Sequence, residues 1–174
     1  MWNLWNKFTK HVYNKVFGEA QKAPYLTYCV ECIGADGKVK WSDEVKNLVT
    51  TVGKTDIVDK YFKGSAYTAA WYMGLAGAGT KAAGDTLASH AGWSEVTPYT
   101  GNRPAITFGT TSGGSNTATA VSYTINATQT VAGAFVASVN TGTSGTLYSV
   151  SDFSASRSVI SGDTLNVTLT VSAT

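Results

Sequence analysis

Hydrophobic and polar residues alternate most cleanly near the C-terminal end of this chain. Leu165, Val167, Leu169 and Val171 take every second position, and Thr164, Asn166, Thr168, Thr170 and Ser172 fill the gaps. A strand turns successive side chains to opposite faces, so residues 163–174 predict a strand with one dry and one wet face. The wet face carries hydroxyls and an amide but no charge. Ser161-Gly162-Asp163 in front of it is a turn signal.

Upstream, residues 25–33 and 38–45 predict a hairpin around Ala35-Asp36-Gly37, because Asp-Gly is a strong short-range turn pair. Val39 and Trp41 alternate there with Lys38 and Lys40, as on a half-buried strand. Between 46 and 63 the period lengthens. Leu48, Val49, Val52, Ile57, Val58, Tyr61 and Phe62 suit a helix despite Gly53, with Thr55 or Asp56 as its cap. Ala69–Leu75 reads as a buried strand, Gly77–Lys81 as a loop, and Asp85–His90 as at most a short helix. Arg103–Phe108 reads as a strand with Pro104 at its start or on an edge. Gly109–Asn116 is a turn cluster. Strands are expected at 118–125, 131–139 and 146–150. Short strands at roughly ten-residue spacing with Gly/Ser/Thr/Asn turns are the signature of a sandwich. The expected fold is therefore mainly β. An N-terminal arm (1–24) and a hairpin-plus-helix region (25–63) precede an antiparallel immunoglobulin-like β-sandwich (64–174).

Residues 2–17 have helical spacing: Trp2, Trp5, Phe8 (or Thr9), Val12 and Val16 recur at three- and four-residue steps, with Lys7, Lys10, His11 and Lys15 mostly on other faces. Burying one indole removes about 150–250 Å² from water, worth several kcal/mol at about 25 cal/mol per Å². Such a helix can pack on its own domain, lie on a membrane surface, or bury its aromatics on a partner protein. A docking arm on a partner is the expectation, with Trp2, Trp5 and Phe8 as anchors and Trp41 and Tyr61 as further contacts.

Charge is distributed unevenly. Residues 1–63 hold ten Lys and seven acids, whereas residues 64–174 hold only Lys81, Arg103, Arg157, Asp85, Glu95, Asp152 and Asp163, alongside 35 Ser and Thr. A net charge of +2 does not argue for nucleic acid, and the N-terminal lysines are interleaved with acids rather than forming a basic stripe. No apolar run approaches the roughly 18–20 residues of a membrane span. The first ten residues lack the uninterrupted apolar segment of a secretion signal.

Candidate chemistry is sparse. Cys29 and Cys32 suggest half a zinc site or a redox pair, but His11 and His90 lack metal-ligand spacing, and a redox CxxC needs a helix N-terminus. On a strand the two thiols face opposite sides, so both are expected to be structural. Ser89, His90 and Asp85 make a triad only by sequence adjacency, without a Gly-x-Ser-x-Gly elbow. Asp85, Glu95, Asp152 and Asp163 are scattered through turns rather than paired for sugar hydrolysis. Gly77-Ala-Gly79 and Gly113-Gly114 lack the Lys-Ser/Thr of a phosphate loop. Asn126-Ala-Thr128 and Asn166-Val-Thr168 match the glycosylation sequon, a frequent chance match in a Thr-rich chain. No catalytic residue, metal or cofactor is expected.

Trp71-Tyr-Met-Gly-Leu75, Asp85-Thr-Leu-Ala-Ser-His-Ala-Gly-Trp93 with Glu95, Asn102-Arg-Pro-Ala105 and Ser161-Gly-Asp-Thr-Leu-Asn-Val-Thr168 occur in that order. Together they resemble small virion proteins of tailed bacteriophages. Leu4-Trp-Asn-Lys7, Val39-Lys-Trp41 and Asn47-Leu-Val49 extend the resemblance over most of the chain. It implies a non-enzymatic occupant of the phage particle: a capsid decoration (cement) or head-fibre-base protein, or a neck or tail component. It also implies a homotrimer bound to the major capsid protein or another virion protein, assembled in the host cytoplasm, with neither nucleic acid nor membrane as partner. One rival is a tail adhesin that stacks host glycans on Trp71, Tyr72, Trp93 and Tyr99. A hydrolase and a membrane-surface protein are further rivals.

Overall fold

The computed structural model describes residues 25–67 and 70–173. The expected arm, with Trp2, Trp5 and Phe8, lies outside the described residues. Among those described, ten strands form two antiparallel sheets. The first has the order β2 (Val39–Lys46), β1 (Tyr25–Ile33), β10 (Thr164–Ser172), β6 (Ser115–Thr117), with β7 (Val121–Thr124) also on β10. The second has the order β3 (Leu48–Val49), β9 (Leu147–Val159), β8 (Gln129–Ala137), β4 (Tyr72–Ala76), β5 (Glu95–Val96).

The alternation in β10 organises the first sheet. Its inward Leu165, Val167 and Leu169 are fully buried and lie opposite Cys32, Val30 and Tyr28 of β1. These side chains share one core with Met73, Leu75, Val131, Ala134, Val136 and Phe153 of the second sheet. The core therefore runs across residue 63, and the hairpin β1–β2 belongs to the same sheet as the C-terminal strand. Turning β10 by one residue would present its hydroxyl row to this core, so the register is strongly specified.

The second sheet is buried on both faces. Phe135, Ala137, Leu147 and Val150 point away from the main core and pack with Leu87 and Trp93 of the long segment 77–103. That cover explains why β8 is a continuous small-residue run instead of an alternating one. Gly74 lies opposite Phe135 in the β4–β8 pair. A methyl group at Gly74 would fall 2.1 Å from the Phe135 ring, so this glycine makes room for the aromatic.

Several local expectations are corrected. The helix α1 covers only Thr51–Ile57, and Thr50 caps it by accepting the Gly53 amide at 3.0 Å, in place of Thr55 or Asp56. Leu48–Val49 pairs with β9 as a short strand before α1 begins. A single π-helical turn, Val58–Phe62, then carries the chain onward. Residues 85–90 form turns with a Thr86–Ser89 bridge, and 103–108 makes only isolated bridges through Ala105 and Phe108. Strand β9 extends past Val150 to Val159.

Candidate functional site

The acids and bases of the second part of the chain each have an internal partner. Arg103 is buried and forks onto Glu95, Nε to Oε1 at 2.8 Å and Nη2 to Oε2 at 2.7 Å, while its remaining donors reach the Val139 and Gly142 carbonyls at 3.1 Å. Its guanidinium lies over the Phe135 ring. Lys81 pairs with Asp152 and donates to the Gly77 and Gly79 carbonyls. Asp85 accepts the Trp93 indole N–H and the Ala82 amide, both at 2.9 Å. Arg157 sits over the Trp41 ring, 5.7 Å from its centroid. Thus Asp85, Glu95, Asp152 and Asp163 are tied to four different partners. His90 stacks edge-on against Trp93 at 4.2 Å, and among the described residues no hydrogen bond joins it to Ser89 or Asp85.

Asp163 closes the arch between β9 and β10. Its Oδ2 accepts from Lys40 Nζ at 2.7 Å and from the Ile160 amide at 3.0 Å, and Cys32 Sγ lies 3.7 Å away. Burial disfavours the carboxylate, but the Lys40 hydrogen bond and the Ile160 amide outweigh it and hold the group below its ordinary pKa. Burial, reinforced by the Asp163 charge, pushes the Cys32 thiol up to about 11. Burial and then Glu44 also raise Cys29. Cys29 is exposed and Cys32 buried, on opposite faces of β1. Such thiols are protonated near neutrality and poorly suited to attack or metal binding. Among the described residues no three His, Cys, Asp or Glu side chains group for a metal, and no helix is long and apolar enough to cross a membrane.

The opposite end of the sheets is open. There a groove of about 430 Å³ runs between α1, the π turn and the first sheet. Leu26, Leu169 and Val171 line it from the first sheet and Val136 and Tyr148 from the second, with exposed Tyr61, Tyr67 and Phe108, half-buried Trp71 and buried Ile106 completing the wall. The aromatics touch one another: Trp71 lies edge-on to Tyr148 at 5.0 Å and donates its indole N–H to the Tyr67 hydroxyl at 3.4 Å. Tyr61 packs edge-on against Phe62 at 5.0 Å. Lys60 lies over both the Tyr67 and Trp71 rings while paired with Asp56 at 2.8 Å. Burial, then the Asp56 charge, raises the Tyr148 hydroxyl to about 12.

The groove exists because α1 comes close to β9. Gly53 sits against Tyr148, where an added Cβ would lie 2.2 Å from the Tyr148 carbonyl oxygen. The Thr50 hydroxyl also donates to the Leu147 carbonyl. Those two contacts fix the helix that carries Asp56 and Ile57 to the groove wall.

Of the expected contact residues, Tyr61 is 81 % exposed at the groove mouth, and Phe62 beside it 76 %. Trp41 stands elsewhere, half-buried between Phe153 and Arg157. Among the aromatics proposed for glycan stacking, Trp71 lines the groove, Tyr72 is half-buried, and Trp93 and Tyr99 are buried in separate places. Sequence patterning did not single out Tyr67, Phe108 or Tyr148. The available signal was a run of aromatics at 61, 62, 67 and 71 that continues beyond the helix.

No family model matches this sequence, and neither a curated protein nor a solved structure matches it.

Proposed function

We propose that this chain is a non-enzymatic structural component of a bacteriophage particle, bound to the capsid shell as a decoration or head-fibre protein. In this proposal its two sheets are an immunoglobulin-like sandwich, its partner is the major capsid protein or another virion protein, and it acts as a homotrimer in the virion. The observation that carries it is the polarity of the surface. Tyr61, Tyr67 and Phe108 are exposed and line one groove, with exposed Val58 and Phe62 on the π turn that carries Tyr61, whereas the half-exposed row 164, 166, 168 and 170 of β10 presents only Thr and Asn. Exposed apolar patches of this kind mark interaction surfaces, and a few aromatic anchors carry most of the energy of such contacts. Repetition over a symmetric shell multiplies a modest contact. The resemblance of the ordered motifs to small virion proteins of tailed phages is what suggests the class of partner.

The test is co-sedimentation of the full chain with purified capsids. Tyr61→Ser combined with Phe62→Ser is expected to lower the bound fraction at least tenfold, equivalent to about 1.4 kcal/mol per site, while the sheets stay folded. Unchanged binding by that variant would remove the aromatic end from the attachment. No binding by the unaltered chain would remove the capsid. A neck or tail protein is the alternative within the same class, and localising the density lost from virions that lack this chain separates them. A tail adhesin would keep Trp71 as its stacking residue and predicts a hit on a glycan array.

A further inference from the structure

We infer that in solution the aromatic end of this chain is the seat of a second copy: two chains meet about a two-fold axis, and Phe62 of each enters the groove of the other. The chain carries both halves of such a contact. The recess is the groove of about 430 Å³, walled in part by Tyr61, Tyr67, Trp71, Ile106 and Phe108. The knob is the outer side of the π turn, where Val58 and Phe62 are exposed and line no part of that groove. Knob and recess lie side by side, joined through the Tyr61–Phe62 ring pair. One rotation axis therefore brings each onto its counterpart, the self-complementary arrangement of an isologous interface. Tyr61, Phe62, Tyr67 and Phe108 are between 37 % and 81 % exposed. At about 150–250 Å² per aromatic side chain they leave roughly 500 Å² of ring-bearing surface on each copy. The pair thus removes roughly 1,000 Å² from water, the lower bound for a specific interface.

Charge, wall chemistry and cover all favour a second copy. The ionic groups on and beside the π turn are paired there, Lys60 with Asp56 at 2.8 Å and Lys63 with Asp59 at 3.6 Å, so two copies approach without like charges in opposition. The wall is not wholly apolar. Asn116 Nδ2 donates to the Gly109 carbonyl and the Thr111 hydroxyl, and Asn116 Oδ1 is buried without a partner among the described residues. Such an acceptor suits an occupant that brings an O–H, and Tyr61 of the second copy brings one beside the Phe62 ring. A saccharide also brings hydroxyls. A ligand confined to the recess, however, leaves Val58 and Phe62 in water, whereas a second copy covers recess and knob together. This inference is independent of attachment to a particle: it concerns the free chain, and pairing and attachment compete for the same rings.

Sedimentation velocity of the full chain, from micromolar to near-millimolar concentration, tests the pairing. A monomer in reversible exchange with a dimer is expected, with a dissociation constant in the micromolar range for a contact of this size. Phe62→Ser is expected to weaken it at least tenfold, and Ile160→Ser, beside Asp163 at the closed end, to leave it unchanged. Both side chains are exposed, so the urea midpoint is expected to stay constant in each variant. In a mixture of ¹³C-labelled and unlabelled chains, isotope-filtered NOEs are expected between the Phe62 ring of one copy and the Val171 methyls of the other. A monomer at every concentration would overturn the inference and leave attachment to its own co-sedimentation test. Equal weakening by Ile160→Ser would mark unspecific association, and a dimer without cross-copy contacts at Phe62 would put the interface elsewhere; either overturns the inference. A trimer in place of the dimer would overturn the two-fold pair while favouring the homotrimer of the proposed function.

Discussion

The two sheets treat their outer faces differently. The second sheet is covered by the segment 77–103, which is locked down by Arg103–Glu95, Lys81–Asp152 and Asp85–Trp93. Among the described residues, no such cover lies along β10 of the first sheet. Thr164, Asn166, Thr168 and Thr170 form a half-exposed polar row, with Thr170 bonded to Thr117 at 2.9 Å, and at its end the buried Ser172 bonds to Ser115 at 2.9 Å. The contrast changes the meaning of the low charge of residues 64–174. Their seven ionic side chains are not a thin scatter over a surface: each is engaged within the fold. The surface that remains is kept wet by hydroxyls because the charges are committed elsewhere.

Arg103 is where this contrast breaks most easily. Arg103→Ala removes a bidentate pair and leaves the Val139 and Gly142 carbonyls without their donor, at a cost of about 3–5 kcal/mol. Arg103→Lys is expected to recover little, since an ammonium cannot fork onto Glu95 and also reach both carbonyls. Urea unfolding measures the loss. Hydrogen exchange should show it first in residues 77–103 and 139–145, with β10 protected until global unfolding. Equal loosening of β10 would mean that the cover and the bare face are not separate in energy.

Asp163 and Gly53 extend the comparison to the two ends. At the closed end, Asp163→Asn weakens the Lys40 contact but keeps an acceptor for Ile160, so about 2–3 kcal/mol is expected, moderated because Lys40 is one-third exposed. The pH dependence has a definite sign. A carboxylate whose pKa is depressed in the folded state contributes fully above its unfolded value, about 3.9, and that contribution is lost as pH falls from there through the folded value. Asp43 is depressed as well: burial opposes its charge, but the Ser154 hydroxyl and amide, the Glu44 amide and Arg157 prevail. The urea midpoint should therefore fall on acidification below about pH 4, less steeply in Asp163→Asn, with Asp43 contributing to the slope that remains. An identical slope in the variant would exclude Asp163 as an acid-sensitive group. At the open end, Gly53→Ala drives a methyl into the Tyr148 carbonyl, and about 1–3 kcal/mol is expected, with α1 displaced and the groove widened.

The parts legible in the sequence were those in which one physical rule dominates. Strand β10 followed from strict alternation, the hairpin from Asp36-Gly37, and the opposed cysteines from strand geometry. The helix was overextended because Leu48 and Val49 are apolar for a different reason, pairing with β9, and because the cap that counts, Thr50, also bonds across to β9. Residues 103–108 have strand-like composition, yet Arg103 and the bridges at Ala105 and Phe108 use them as a strap. The groove was least legible. Its wall joins residues from 26 to 171, and no local period encodes a junction between sheet ends. Ion pairing was hidden likewise, since Lys40 and Asp163 are 123 positions apart.

The hydroxyl row gives the smallest expected effect and the sharpest control. Thr117→Val with Thr170→Val removes one exposed cross-strand hydrogen bond while keeping both β-branched shapes. Water already competes for those hydroxyls, so stability is expected to change by no more than about 0.5 kcal/mol. Solubility should respond more strongly. Adding Thr164→Val and Thr168→Val leaves Asn166 as the one polar side chain of the row 164–170, a largely apolar face that favours face-to-face association. Sedimentation velocity of the double and quadruple variants should therefore show growing self-association at nearly constant urea midpoint. A large stability loss in the double variant would mean that the hydroxyl pairs hold the sheet together, as Arg103 holds the cover, and the two faces would no longer differ in kind.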